Sequence, residues 1–330
     1  MAYQVTALSL ACMMTLLHGL QASLCPPLPM PNNATEFSCS SPSLQEFPTG
    51  FPNETLLISV EFTNISKIGA DALVGLSKLQ ELHLSSNKLR SLPDGLFHDL
   101  PELATLDLTR NLLEDLPPGI FRNSSVLTQL SLHGNQLATL RPSWFHPLRH
   151  LAMLDLSHNQ FTEVPPFCFS KLENLTDLDL SFNFLHTLTP QILEGLLHLE
   201  KLNLEGNQLQ SIADGTFQRT PSLKFLFLRN NTLASLSAGI FEPLNLLELL
   251  DVSYNKLTSL VPKFSSQAMK LSLDLSGNPW ACKCHMSALV AWLKEHSIFL
   301  WAEQQTICAT PKYLEGQMIT SLAPGKFGAC

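Results

Sequence analysis

The stretch LQELHLSSNKL, from Leu79 to Leu89, carries the reading of the whole chain. Its spacing, L-x-x-L-x-L-x-x-N-x-L, returns from Leu199 to Leu209 through Leu202, Leu204 and Asn207. Asn87, Asn111, Asn135, Asn159, Asn183, Asn207, Asn231 and Asn255 follow one another at intervals of 24 residues, and Asn278 comes 23 later. A weaker first copy has Ile58, Val60, Ile65 and Ile68, with Thr63 in the place of the asparagine, and the last copy drifts to Leu273, Leu275, Asn278 and Trp280. Atypical units at both ends suit a stacked array, since a terminal unit has a neighbour on one side only.

Each position of the unit has a physical reason. The L-x-L pair alternates with period two and predicts a short strand, its leucines inward and the residues between them outward. The asparagine falls where the chain leaves the strand, and its amide donates and accepts at once, satisfying backbone groups of its own turn and the next. Phe97, Phe121, Phe145, Phe169, Phe217 and Phe241 recur at one further point, with Leu193 replacing the missing member, and predict an aromatic spine on the convex side. The segments leading to them, such as LPDGLF and LPPGIF, hold too much Pro and Gly for a long helix and predict turns or single 3₁₀ turns. Strands stack about 4.8 Å apart while the bulkier outer side needs more room, so the stack bends with its strands inside. The expected fold is an α/β-type leucine-rich-repeat solenoid: a curved right-handed coil with a parallel β-sheet on the concave face and mostly turns and 3₁₀ on the convex face. That reading overrides the two or three globular domains that 330 residues alone would suggest.

Four segments follow. Residues 1–23 read as a signal peptide: the first 24 residues contain no Lys, Arg, Asp or Glu, and an apolar stretch from Ala7 to Leu20 precedes the small Ala22 and Ser23. The apolar run falls short of the ~20 residues a membrane span needs, and the chain reaches Cys330 without an apolar tail, so no membrane anchor is expected. Residues 24–54 are then a short N-terminal cap, 55–277 the repeats, and 278–330 a cysteine-bearing C-terminal cap. An exported chain keeps its disulfides. Cys25 and Cys39 form the N-terminal bridge, and Cys282, Cys284, Cys308 and Cys330 form two more in one of three pairings. A zinc site at Cys282 and Cys284 is the competing reading, although the spacing is unlike common zinc motifs. Cys168 stands where other repeats carry Leu96, Ile120, Trp144, Ile192 or Ile240, and is expected as a buried, inert thiol. Asn33, Asn53, Asn64, Asn123, Asn174 and Asn230 each begin a glycosylation sequon.

The mature chain has no G-x-S-x-G, H-E-x-x-H, P-loop or G-x-G-x-x-G, so neither catalysis nor a cofactor is expected. His83, His133 and His158 point outward on separate units without a nucleophile at matched spacing, and read as surface histidines. Charge is more informative. The outward positions carry ten acids, Glu61, Glu81, Asp107, Asp155, Asp177, Asp179, Glu200, Glu205, Glu248 and Asp251, against four bases, Arg110, Lys201, Lys224 and Arg229. That excess is most of the net charge of −8 of the whole chain. Phe182, Phe225, Phe227 and Tyr254 share the face on the later units, and apolar groups beside charge are typical of interface anchors. A solvated acidic face that only aids solubility is the plain alternative. The candidate partner-binding residues are Asp155, Asp177, Asp179, Asp251, Phe182, Phe227 and Tyr254. Such a wall attracts a basic protein and repels nucleic acid and anionic membranes.

Several strings are more particular than the generic spacing: SKLQELHLSSN at Ser77 to Asn87, LDLTRN at Leu106 to Asn111, LPPGIF at Leu116 to Phe121 and LEGN at Leu204 to Asn207. From about Val60 to the C-terminal cap the chain resembles the leucine-rich alpha-2-glycoprotein group, to which the beta-type phospholipase A2 inhibitors of snake serum belong. The resemblance implies a secreted glycoprotein of blood plasma, a homo-oligomer and usually a trimer, that binds and inhibits basic phospholipase A2 by stoichiometric contact. The other branch of the group implies a signalling modulator that binds growth-factor or cytochrome c type partners. The segment from Asn278 to Cys284 resembles the C-terminal cap of extracellular leucine-rich repeats, which implies the pairs Cys282 with Cys308 and Cys284 with Cys330.

Overall fold

The computed structural model describes residues 25–26, 31, 33–261, 263–265 and 270–327. The expected signal peptide and Cys330 lie outside them. Among the described residues twelve strands form one parallel sheet in chain order. From Glu81–His83 to Ser272–Asp274 each strand of this sheet is three residues long with a buried leucine at its centre, and those leucines stand side by side in register. The sheet also runs past the repeat pattern. Glu36–Cys39 pairs with Leu57–Val60 at one end, and Phe299–Trp301 pairs with Ser272–Asp274 at the other.

The asparagines form the expected ladder, 2–6% exposed from Asn87 to Asn278. In each turn the side-chain amide donates to the carbonyl three residues back and to its equivalent one unit earlier, while its oxygen accepts a backbone N–H of that earlier unit. Thr63 opens the ladder in the place of an asparagine, its N–H and hydroxyl both donating to Asn87 Oδ1. Buried backbone groups that the short strands leave over are satisfied in this way.

Opposite the sheet the chain makes turns, a four-residue helix at Pro142–Phe145, and 3₁₀ turns at Pro190–Ile192 and Thr216–Arg219. The phenylalanine spine is buried, with Phe97 on Phe121 at 6.0 Å and Phe217 on Phe241 at 6.0 Å between ring centroids. It runs on through Phe264 to Trp292 of the C-terminal helix Met286–Glu295. That helix seals the last turn with Met286, Leu289, Val290 and Leu293, which share one face by their spacing. Cys25 bonds Cys39, and Cys282 bonds Cys308. Cys284 is disulfide-bonded as well. Cys168 is a free, fully buried thiol whose pKa burial pushes up to about 12.

Candidate functional site

The outward residues of adjacent strands line a shallow cavity of about 340 Å³ on the concave sheet: His83, Thr105, Asp107, Gln129, Ser131, Met153, Asp155, Asp177, Asp179 and Lys201. Of the candidate residues, this groove brings together Asp155, Asp177 and Asp179. Asp155 and Asp179 are direct cross-strand neighbours, and Asp177 stands beside Met153, a methionine 45% exposed. One device aims the aspartates of this column. Oδ1 accepts the backbone N–H two residues on, from Thr109 to Asp107 at 2.8 Å, from Ser157 to Asp155 at 2.9 Å and from Ser181 to Asp179 at 2.9 Å. Aspartate suits a strand end because its short side chain closes a turn in this way. The column is therefore structural first, and its charge comes with it.

Neutralisation on this face is uneven. Glu200 pairs with Lys224 at 2.7 Å and Glu205 with Arg229 at 3.5 Å, while Glu81 is hydrogen-bonded to the His83 ring at 3.1 Å. Two of the four bases are thus engaged by neighbouring glutamates. Among the described residues Asp107, Asp155, Asp177, Asp179, Glu248 and Asp251 make no ion pair. The field over the groove is more one-sided than the residue count suggests. Asp251 stands three strands on from Asp179, outside the groove. Burial holds its carboxyl above the usual range, hydrogen bonding from Ser253 opposes this, and the facing Asp274 adds to it. Glu205 is raised by burial too, with Arg229 opposing.

The aromatics are placed differently from the acids. Phe182 and Tyr254 lie beyond the strands, at a corner where the chain turns off the sheet. Phe62, Ser86, Arg110, His158, Phe182, Asn230 and Tyr254 all have φ between 51° and 55° there, and Gly134, Gly206 and Gly277 complete the column at 66–68°. The Phe182 ring lies 2.6 Å from where a Cβ on Gly206 would stand, and the Tyr254 ring 2.9 Å from that of Gly277. Glycine at those two corners makes room for the aromatic ring one unit earlier. His158 stacks on Phe182 at 4.4 Å and meets His133 edge-on at 5.0 Å. Burial, then the neighbouring His133, lower the His158 pKa. Tyr254 is tied down, with Arg229 over its ring at 4.7 Å and its hydroxyl donating to Gln305 at 3.0 Å. Phe227 is half-buried on the strand face between Asn203 and Asp251.

Three residues escaped the sequence reading. Asp274 continues the aspartate column, its Oδ1 accepting the N–H of Ser276 at 3.0 Å, and LDLSGN at Leu273 to Asn278 was the available signal, since it copies LDLTRN. Phe299 and Trp301 enter the face through the last strand, 58% and 42% exposed. Only the alternation FLW hinted at them.

The leucine rich repeat profile matches residues 57–113, 101–161, 158–209, 198–257 and 221–279. The phospholipase A2 inhibitor of Gloydius brevicaudus siniticus is 55% identical over 332 residues, 100% of this chain and 100% of its own length. A protein of Elaphe climacophora named phospholipase A2 inhibitor beta is 64% identical over 310 residues, 94% of this chain and 93% of its own length. The chain belongs to the phospholipase A2 inhibitor family of leucine-rich-repeat proteins. Its fold is shared more widely than that family. A leucine-rich-repeat protein of Leptospira interrogans superposes with a TM-score of 0.71 at 27% identity, over 82% of this family member and 67% of that chain. A chain of the octameric complex of Latrophilin 3, Unc5D and FLRT2 does so with a TM-score of 0.67 at 25% identity, over 88% and 81%.

Proposed function

We propose that the protein is a secreted plasma inhibitor of a basic phospholipase A2, acting by stoichiometric contact through its concave sheet and without chemistry of its own. Identity of 55% and 64%, over nearly the whole chain, with two proteins named phospholipase A2 inhibitors supports the inhibitory activity. The observation that carries the mode of binding is the run of unpaired carboxylates, Asp107, Asp155, Asp177 and Asp179, in one groove. Unopposed charge on a concave wall acts over distance and raises the encounter rate of a cationic partner. Asp251, Phe182, Phe227 and Tyr254 belong to the same contact surface in this reading. Residues 1–23 direct export, and 24–54 and 278–330 close the repeats of 55–277. All six sequon asparagines, Asn33, Asn53, Asn64, Asn123, Asn174 and Asn230, are exposed, which supports glycosylation. Among the described residues no helix is long and apolar enough to cross a membrane. The assembly is a homo-oligomer of the trimeric kind.

Purified protein titrated into a basic and an acidic secreted phospholipase A2 tests this, with lipid hydrolysis as readout. The basic enzyme is expected to lose activity in proportion to added protein up to a fixed molar ratio, and the acidic enzyme to stay active. Inhibition of neither would overturn the proposal.

A further inference from the structure

The concave sheet has a second surface, at its C-terminal end. Registered neighbours place Phe225, Leu249, Ser272 and Phe299 in one row, and Phe227, Asp251, Asp274 and Trp301 in the next. The Phe299 and Trp301 rings meet edge-on at 5.0 Å and remain 58% and 42% exposed. Phe299–Trp301 is the last strand of the sheet, and even its inward residue Leu300 is only half-buried. Beside it a cavity of about 580 Å³ opens against the end of the C-terminal helix, lined by five apolar residues, Phe299 and Met318 among them, and five polar ones, Lys294 and Glu303 among them. Exposed aromatics grouped in this way need a partner of matching apolar character.

Resting on the reading of the protein as a phospholipase A2 inhibitor, we propose that this aromatic end and the aspartate groove together grip the enzyme's lipid-docking face, and that nothing enters its catalytic slot. A phospholipase takes its substrate from a surface in which the acyl chains are buried. It must therefore present an apolar face to that surface, rimmed by cations that suit the phosphates. The inhibitor's sheet offers the complement of both parts, aromatics for the apolar area and unpaired aspartates for the cations. The two parts are suitably spaced: Trp301 stands five strands on from Asp179, about 24 Å at about 4.8 Å per strand. A partner face of the common size, about 800 Å², has an edge of about 28 Å. Plugging a slot would need a projecting segment. The constant 24-residue spacing, with three-residue strands and tight turns, puts none on this face among the described residues.

The test compares two forms of substrate for one basic phospholipase A2: anionic phospholipid vesicles, and a short-chain phospholipid kept below its micelle concentration. Saturating protein is expected to suppress vesicle hydrolysis on the order of tenfold or more while monomer hydrolysis stays within roughly twofold, because only the docking step is blocked. Phe299→Ser with Trp301→Ser is expected to weaken inhibition on vesicles on the order of tenfold, as loss of interface anchors does. Equal suppression of both substrate forms would overturn the docking-face proposal and leave the inhibitor reading standing. Suppression of neither would fail the inhibitor reading itself. Two further results would assign the aromatic end elsewhere and overturn the proposal: sedimentation of the protein alone with vesicles, or a changed oligomeric state of the double variant with undiminished inhibition. If the double variant does not fold, the two-substrate comparison on the unaltered protein still decides.

Discussion

Replacing Asn183 with alanine is expected to lower the free energy of unfolding by about 3–5 kcal/mol. Asn183 Nδ2 donates to the carbonyls of Leu156 at 3.0 Å, Leu180 at 3.1 Å and Ser181 at 3.1 Å, and Oδ1 accepts the N–H of Phe161 at 3.1 Å. The residue is 3% exposed, so its partners lie away from bulk water. The Phe161 N–H is left without a partner, at a cost of about 1–3 kcal/mol, while the carbonyls of Leu156, Leu180 and Ser181 keep a second donor, Asn159 Nδ2, Asn207 Nδ2 and the His158 N–H, and each lose one hydrogen bond worth about 0.5–1.5 kcal/mol. A break in the middle of a stacked array also separates its halves, because each unit is held by its neighbours. Urea unfolding followed by circular dichroism measures the effect, with a lower midpoint and a less cooperative transition expected. A loss below about 1 kcal/mol would mean that the ladder contributes little beyond ordinary surface hydrogen bonds.

The second large effect concerns association. The triple variant Asp155→Asn, Asp177→Asn and Asp179→Asn is expected to slow binding of a basic phospholipase A2 on the order of tenfold at low ionic strength. Asparagine keeps an oxygen that can accept the N–H groups of Ser157 and Ser181, so the strand ends stay closed and the fold is retained. What is removed is three charges from a groove in which Lys201 is, among the described residues, the one Lys or Arg on the lining. The Debye length shrinks from about 30 Å at 0.01 M salt to about 3 Å at 1 M, so the difference from the unaltered protein should vanish as salt is added. Stopped-flow association at several salt concentrations measures both the rate and its slope. An unchanged rate at low salt would remove the groove from the mechanism.

The fold was legible because the asparagine period is strict and the leucine parity is unambiguous: Leu82, Leu106 and their equivalents could face only one way. The acidic groove was legible for the same reason, since outward positions are those that alternate with the leucines. The corners were not. Counting outward positions past the strand treats Phe182 and Tyr254 as strand residues, whereas both take a left-handed backbone that bulky side chains rarely adopt and that their residue type does not announce. The Gly206 and Gly277 corners that admit their rings make sense only with the neighbouring unit in place. Parity alone places Asp251 with the other aspartates, and the three strand steps that separate it from Asp179 show only when the strands lie side by side. The last strand, Phe299–Trp301, lies outside the repeat period and forms because the capping helix Met286–Glu295 returns the chain to the sheet edge. No periodic signal marks such a return.

The proposed contact with the enzyme is made by the concave sheet and not by the outer turns. Carbodiimide labelling of carboxylates, read by mass spectrometry on the free protein and on its complex with a basic phospholipase A2, tests it most directly. Asp155, Asp177 and Asp179 should lose label in the complex while Asp99 and Glu173, exposed in the turns outside the sheet, keep theirs. Protection of Asp99 and Glu173 with the three groove aspartates labelled as in the free protein would contradict the account.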